Sequence, residues 1–183
     1  MIEVKDNLNR PIFVIENAAT QSQHEAFYAF VIKSFYQIGF TDTVGIETAK
    51  HKYFHSEYSI DDYMNSGFHS ILENTKLYSQ IKNQIKNGNF RININLSTPT
   101  NIYFPHTHTN EWAIIYYANL DWKHEWAGET LFYSDDLNEI VHGSIYKPRK
   151  LIFFDGEIPH TIRPQSIEAP QYRFTVAMFV PKE

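Results

Sequence analysis

The feature that most restricts the fold of this chain is a change of hydrophobic period near residue 90. Before it, apolar residues recur every three or four positions. Phe27, Phe30, Val31 and Phe35 do so behind Thr20 and Ser22, either of which can cap a helix, and Gly39 suits its end. A second helical pattern starts at Ser59-Ile-Asp-Asp and, past Gly67, runs through Ile71, Leu72, Leu77 and Ile81 towards Ile85, until Asn87-Gly88-Asn89 breaks it. Residues 11–16 read as a short strand ahead of the helices, and segment 47–60 has no clear period. Beyond residue 90 the period becomes two: Phe90-Arg-Ile-Asn-Ile-Asn-Leu96 alternates strictly, as a half-buried strand does. Further β-rich runs lie at 101–105, 112–119, 129–134, 139–146, 150–155 and 171–180, separated by turns. Helices followed by closely spaced short strands predict an α+β domain in which helices brace one face of a β-sandwich. The 183 residues form one domain, with 1–88 as mainly helical support and 89–183 as the sandwich half.

Composition narrows the function classes. With 14 Phe and 12 Tyr the chain is no disordered polar segment. A net charge of −5 with no basic run gives nucleic acid nothing to hold. No stretch approaches the roughly 20 apolar residues of a membrane span, and the polar start, MIEVKDNLNRP, is not a signal peptide. There is no cysteine, which excludes disulfides and thiolate metal sites and predicts a reducing, cytoplasmic setting. A transition metal would have to be held by His, Asp or Glu, and there are nine histidines. No oligomeric state is read from the sequence.

Three of those histidines stand apart. His106 and His108 follow the strand-like Asn101-Ile-Tyr-Phe, and residues two apart on extended chain point to one side. His160 lies beyond the apolar run Leu151-Ile-Phe-Phe-Asp and the turn Gly156-Glu-Ile-Pro. In a jelly roll, strands distant in sequence become neighbours, so His160 can complete a facial set that leaves about three positions open on an octahedral metal. The competing reading is that these are solvated side chains, as His24, His51, His55, His69, His124 and His142 are taken to be, on the surface or in packing. His106-x-His108-x-x-Glu111 also approaches the cupin pattern, with the glutamate one residue too close; such an enzyme would use iron or manganese without a keto acid. A third possibility is a non-catalytic sandwich that binds a small ligand or a partner protein.

Residues 91–180 resemble the prolyl-4-hydroxylase-like branch of the iron(II)- and 2-oxoglutarate-dependent dioxygenases. His106-Thr-His108 stands where that family has His-x-Asp, and Ile114-Ile-Tyr-Tyr-Ala-Asn119 is similar to its Leu-Tyr-Tyr-Leu-Asn strand, followed by Trp122. Trp126-Ala-Gly-Glu-Thr-Leu-Phe132 resembles its Trp-Gly-Gly-Glu-Thr segment, and Lys147-Pro-Arg-Lys-Leu-Ile-Phe-Phe-Asp155 its Pro-x-x-x-Leu-x-x-Phe strand. Ile158-Pro-His160 matches the distal histidine, and Tyr172-Arg-Phe-Thr-Val176 the closing Arg-x-Ser/Thr. Six weak matches in the right order make a specific signal.

The resemblance implies a double-stranded β-helix (jelly roll) and hydroxylation of a peptide or small-molecule substrate. It implies Fe(II), 2-oxoglutarate as cosubstrate, O2, and ascorbate as a stimulant. It assigns the far carboxylate of 2-oxoglutarate to Arg173, whose planar fork suits a carboxylate, with Thr175 and Tyr117 adding hydrogen bonds. Arg163, three residues past His160, is the rival to Arg173 and would sit nearer the metal; Tyr103 would line the substrate entrance. Trp122, Trp126 and Phe153 read as core, and Gly128 and Gly156 as turn or bulge residues. Segment 41–60 and the first helices would shape specificity. The departure is His108, which replaces a carboxylate and raises the net charge at a divalent metal from +1 to +2. Four readings follow: a three-histidine site, which is favoured; His108 as first ligand with Asn110 in the carboxylate's slot; Glu111 as the carboxylate; or a fold that has lost its chemistry.

Overall fold

The structure is a computed structural model, described here for residues 1–40, 53–101, 103–169 and 172–182. Eleven strands and four α-helices are described. The strands are β1 (Ile2–Lys5), β2 (Pro11–Ile15), β3 (Gln37–Phe40), β4 (Tyr53–Glu57), β5 (Arg91–Ser97), β6 (Glu111–Tyr117), β7 (Thr130–Tyr133), β8 (Ile140–Ser144), β9 (Leu151–Asp155), β10 (His160–Ile162) and β11 (Arg173–Pro181). The helices α1 (Gln21–Val31), α2 (Ile60–Asn65), α3 (Phe68–Glu73) and α4 (Lys82–Lys86) all precede β5.

Every strand pairing is antiparallel. Eight strands form one sheet in the order β1-β2-β9-β6-β11-β5-β4-β3, and β10-β7-β8 form a second. This is a double-stranded β-helix: strands far apart in sequence lie side by side, which brings the β9–β10 turn next to the approach to β6. No described helix is long and apolar enough to cross a membrane.

The period of two divides the core into two layers. On β6, Ala113, Ile115 and Tyr117 face the small sheet and pack with Phe132, Ile152 and Phe154, while Ile114 and Tyr116, with Ala118 just past the strand, face the helices. The helices close the outer face with Phe27, Tyr63, Phe68 and Ile71, where Phe27 stacks on Phe68 at 5.3 Å and both meet Tyr116 edge-on or tilted. Thr20 caps α1, and its hydroxyl and Gln23 make a reciprocal capping box.

Three expectations are corrected. Helix α1 ends at Val31, not at Gly39; Phe35 is 79% exposed and Gly39 lies in β3. The apolar residues at 30–35 continue a helical spacing, but the chain turns after Ile32 to lay β3 against β4. Residues 101–105 form no described strand; pairing there reduces to a single bridge at His106. The polar first residues, which carried no strand signal, form β1 by pairing with β2, and segment 1–88 supplies four of the eight strands of the large sheet. Residues 41–52, most of the segment expected to shape specificity, and His51 with it, lie outside the described residues.

Candidate metal centre

His106 and His160 stand directly opposite each other, exchanging backbone N–H···O bonds of 3.1 and 3.0 Å. Such a pair places both side chains on one face of the sheet, and the ring centroids are 4.6 Å apart. His108, two residues on, points the same way, with its ring 5.0 Å from that of His106 and 5.2 Å from that of His160. One candidate ligand atom from each of the three lies within 4.8 Å of the others, and this is the one group of metal-capable side chains among the described residues.

Hydrogen bonds orient two of the rings. Nδ1 of His106 lies 3.0 Å from the Phe104 carbonyl and Nδ1 of His160 lies 2.9 Å from that of Ile158. A carbonyl only accepts, so both Nδ1 atoms carry the proton and both Nε2 lone pairs are left for a ligand. His108 Nε2 is buried without a partner. Its Nδ1 has a long 3.3 Å contact with Arg91, whose stronger partner is Glu111 at 2.7 Å. A guanidinium only donates, so His108 can ligate through Nε2 when that weak contact gives way and Nδ1 takes the proton.

The surroundings favour neutral imidazoles. Burial, then the charges of His106 and Arg91, lowers the pKa of His108 to about 3. Burial, then His106 and His108, puts His160 well below its ordinary value. Unprotonated nitrogen is what a metal requires.

Gly156 holds His108 in place. Its carbonyl accepts from the His108 N–H at 2.7 Å and its N–H donates to the Glu111 carbonyl at 2.9 Å. A Cβ at Gly156 would lie 2.6 Å from the His108 carbonyl oxygen and 2.7 Å from that of Glu111. The absent side chain is therefore what lets the β9–β10 turn dock against the histidine loop.

The histidines border a cavity of about 210 Å³ between the sheets. Thr130 and Thr175 line its walls, with Ile115, Ala177 and Phe179 as an apolar strip. Arg173 lies behind Thr175 and is fully buried. Its Nε donates to the Gly128 carbonyl at 2.9 Å, Nη1 donates to the Thr175 hydroxyl, and Nη2 has no partner. Its guanidinium carbon stands 4.7 Å from the Tyr146 ring centre and 5.6 Å from that of Tyr117. No described carboxylate pairs with it. Gly128, at φ 88°, makes room: a Cβ there would come within 3.1 Å of Arg173 Cδ and Nε. A larger open groove of about 600 Å³ beside Phe35, Ser56 and Asp62 is lined by none of these residues.

Other expected residues lie elsewhere. Glu111 is outside the three-histidine group, held by Arg91, so a cupin-type set including it is not assembled. Asn110 is exposed in a left-handed turn at φ 58°, with its backbone N–H directed at Glu157 and its carbonyl accepting from Lys182. Arg163 is an exposed residue paired with Glu129 at 3.5 Å and does not line the cavity. Tyr103 is half-buried and does not line the cavity. The Tyr117 hydroxyl is already committed to Thr130 at 2.8 Å and the Ser144 carbonyl at 3.1 Å. His24 is a packing residue, bonded to Tyr116 and the Asn119 carbonyl.

Sequence reasoning passed over Arg91, Asn93 and Asn95, which line the cavity from β5. Alternation marks two faces without saying which is buried: Ile92 and Ile94 face the helices and the asparagines face the cavity. Asparagine is disfavoured in strands, and two of them in one strand were the available signal.

No protein-family model matches this sequence, and no curated protein matches it significantly. Solved structures do resemble it. A Pseudomonas putida prolyl-4-hydroxylase superposes with a TM-score of 0.65 at 12% identity, covering 93% of this chain and 92% of that one. A Trichoplax adhaerens prolyl hydroxylase, solved with a hypoxia-inducible-factor peptide fragment, gives 0.65 at 13% identity over 93% and 83%. A Burkholderia pseudomallei oxidoreductase of the 2OG-Fe(II) oxygenase family gives 0.61 at 10% identity over 94% and 85%. At these identities the likeness is one of architecture, and it places this chain in the double-stranded β-helix fold that prolyl hydroxylases and 2OG-Fe(II) oxygenases share.

Proposed function

We propose that this chain is an Fe(II)- and 2-oxoglutarate-dependent oxygenase that hydroxylates a peptide or small-molecule substrate. The observation that carries the reading is Arg173: a cation fully buried beside the cavity, with one arm unpaired and no carboxylate partner among the described residues. A buried charge is rarely left without a counter-ion, because desolvation costs several kcal/mol. A dicarboxylate bound in the cavity supplies that counter-ion, with Thr175 presenting its hydroxyl alongside.

His106, His108 and His160 are the residues that would hold the metal, and imidazole nitrogen suits iron(II) among the divalent first-row ions. Bound iron would supply oxygen activation driven by oxidative decarboxylation of the keto acid. The chain's own part is to orient and to exclude water. The carbonyls of Phe104 and Ile158 fix two imidazoles, Gly156 fixes the third, and Phe132 and Phe154 pack against His160 at 6.1 and 4.7 Å. Three neutral imidazoles would leave a divalent ion its full +2 charge, favouring an anionic cosubstrate.

The test is succinate release from 2-oxoglutarate with added Fe(II) and ascorbate, set against His160→Ala. Turnover at least about tenfold above the variant is expected, in line with loss of a metal ligand. Equal rates, or no binding of 2-oxoglutarate to the metal-loaded protein, overturn the reading.

A further inference from the structure

Two carboxamides of the cavity wall have no part in that reading, and neither does the Thr161 hydroxyl, which is also buried without a partner. Asn93 and Asn95 project from β5 into the cavity and are only 6% and 8% exposed. Neither carboxamide hydrogen-bonds to a described residue, and Asn95 Oδ1 is closed off from solvent. Buried polar groups are almost always paired. Two unpaired ones, two residues apart on one strand and facing one cavity, mark a surface built to be completed by a ligand.

The chemistry of the wall restricts that ligand. A carboxamide offers two N–H donors and a carbonyl acceptor. At neutral pH 2-oxoglutarate has acceptor atoms only, so it can engage the nitrogens and leaves both oxygens unpaired. The ligand must both donate and accept, and an amide does so with the same planar spacing of N–H and C=O as the carboxamides it would face. Charge points the same way. Among the described lining residues Arg91 is the one permanently charged side chain, and it is paired with Glu111 at 2.7 Å and laid over the Phe179 ring at 3.9 Å. The one free cation near the cavity among the described residues is Arg173, behind Thr175, where the proposed dicarboxylate sits; a second ionic group at the Asn93 end would lose its hydration and find Arg91 already paired. Across β11, Ala177 stands opposite Asn93 and Phe179 opposite Arg91, so a nonpolar strip runs beside the carboxamides. Thr175, next to Arg173, stands opposite Asn95.

We infer that Asn93 and Asn95 are specificity-determining residues that bind a neutral amide group of the substrate, with the adjoining apolar part of the substrate over Ala177 and Phe179. That the bound molecule is a substrate rests on the oxygenase reading; the amide subsite itself does not.

The side-chain NH2 signals of the two asparagines report on the site directly. They are recorded in 15N-labelled, Zn(II)-loaded protein and assigned with Asn93→Asp and Asn95→Asp. Three probes are titrated in turn: 2-oxoglutarate, N-methylbutanamide, and methyl butanoate as the ester of matched size. With 2-oxoglutarate present, the amide should shift both signals saturably and the ester should not. Asn93→Leu should weaken amide binding by about tenfold, the scale of one buried hydrogen bond. Equal shifts from the ester, shifts from 2-oxoglutarate with none from the amide, or no shift at all overturn the inference. If 2-oxoglutarate fails to bind while the amide still moves both signals, the oxygenase reading falls and the amide subsite stands.

Discussion

Replacing Arg173 with methionine separates ligand recognition from folding. Of the three guanidinium nitrogens, Nε is used on Gly128 and Nη1 on Thr175, so a carboxylate gains the free Nη2 arm. One charge-assisted hydrogen bond is worth about 1.5–3 kcal/mol, so 2-oxoglutarate should bind about 10–150-fold more weakly to Arg173→Met. Stability without ligand should change less: removing an uncompensated buried cation is favourable, while Gly128 and Thr175 each lose a donor. With 2-oxoglutarate at about 100 times its wild-type Kd, the wild type gains roughly 2.7 kcal/mol and the variant roughly 0.3–1.4 kcal/mol. For a chain of this length the wild-type gain corresponds to a Tm rise of about 5–11 °C. Isothermal titration of Zn(II)-loaded protein and thermal unfolding with and without ligand measure both quantities. An unchanged isotherm, or equal Tm shifts in the two proteins, refutes the assignment of Arg173.

Gly156→Ala should lower metal affinity by about 10–100-fold in chelator competition, because its Cβ cannot coexist with the His108 and Glu111 carbonyls at 2.6 and 2.7 Å. Gly143→Ala, whose Cβ meets Leu131 at an ordinary 3.6 Å, should leave affinity unchanged. Acid should destabilise the metal-free protein. Burial lowers the pKa of His24, of His108 to about 3, and of His160. Folded-state values below the unfolded value of about 6.5 mean that the unfolded chain takes up protons first, so stability is full above that pH and falls as the pH drops below it. His108 alone contributes a loss of at most about 2 kcal/mol at pH 5. Urea midpoints should agree at pH 7 and 8 and decline from pH 6 to 5; a flat profile contradicts neutral burial of these rings.

Much of the sandwich half was legible because its evidence is local. Alternation along 112–117 and 173–180 follows from the pleat, and residues two apart share a side whatever surrounds them. That rule places His106 with His108. It does not place His160, 52 residues beyond His108, for which the resemblance supplied the partner. Signals failed where a neighbour decides the outcome. Phe35 continues a helical spacing that the helix abandons, since the turn into β3 takes precedence. Residues 2–5 look like a polar tail and become a strand because β2 offers an open edge.

The amino-acid order by itself determined most of the strands from residue 90 onward, the cysteine-free choice of nitrogen and oxygen ligands, and the placing of His106 and His108 on one side. Tertiary structure decided which groups are left unsatisfied. Position put Arg163 second to Arg173, but their surroundings came only with the fold: Arg173 is sealed behind Thr175 with a free arm and Arg163 lies exposed on Glu129. Alternation gives Asn93 and Asn95 one side of a strand, and the fold turns that side inward. Burial and pairing are properties of contacts between distant segments, and no local pattern encodes them.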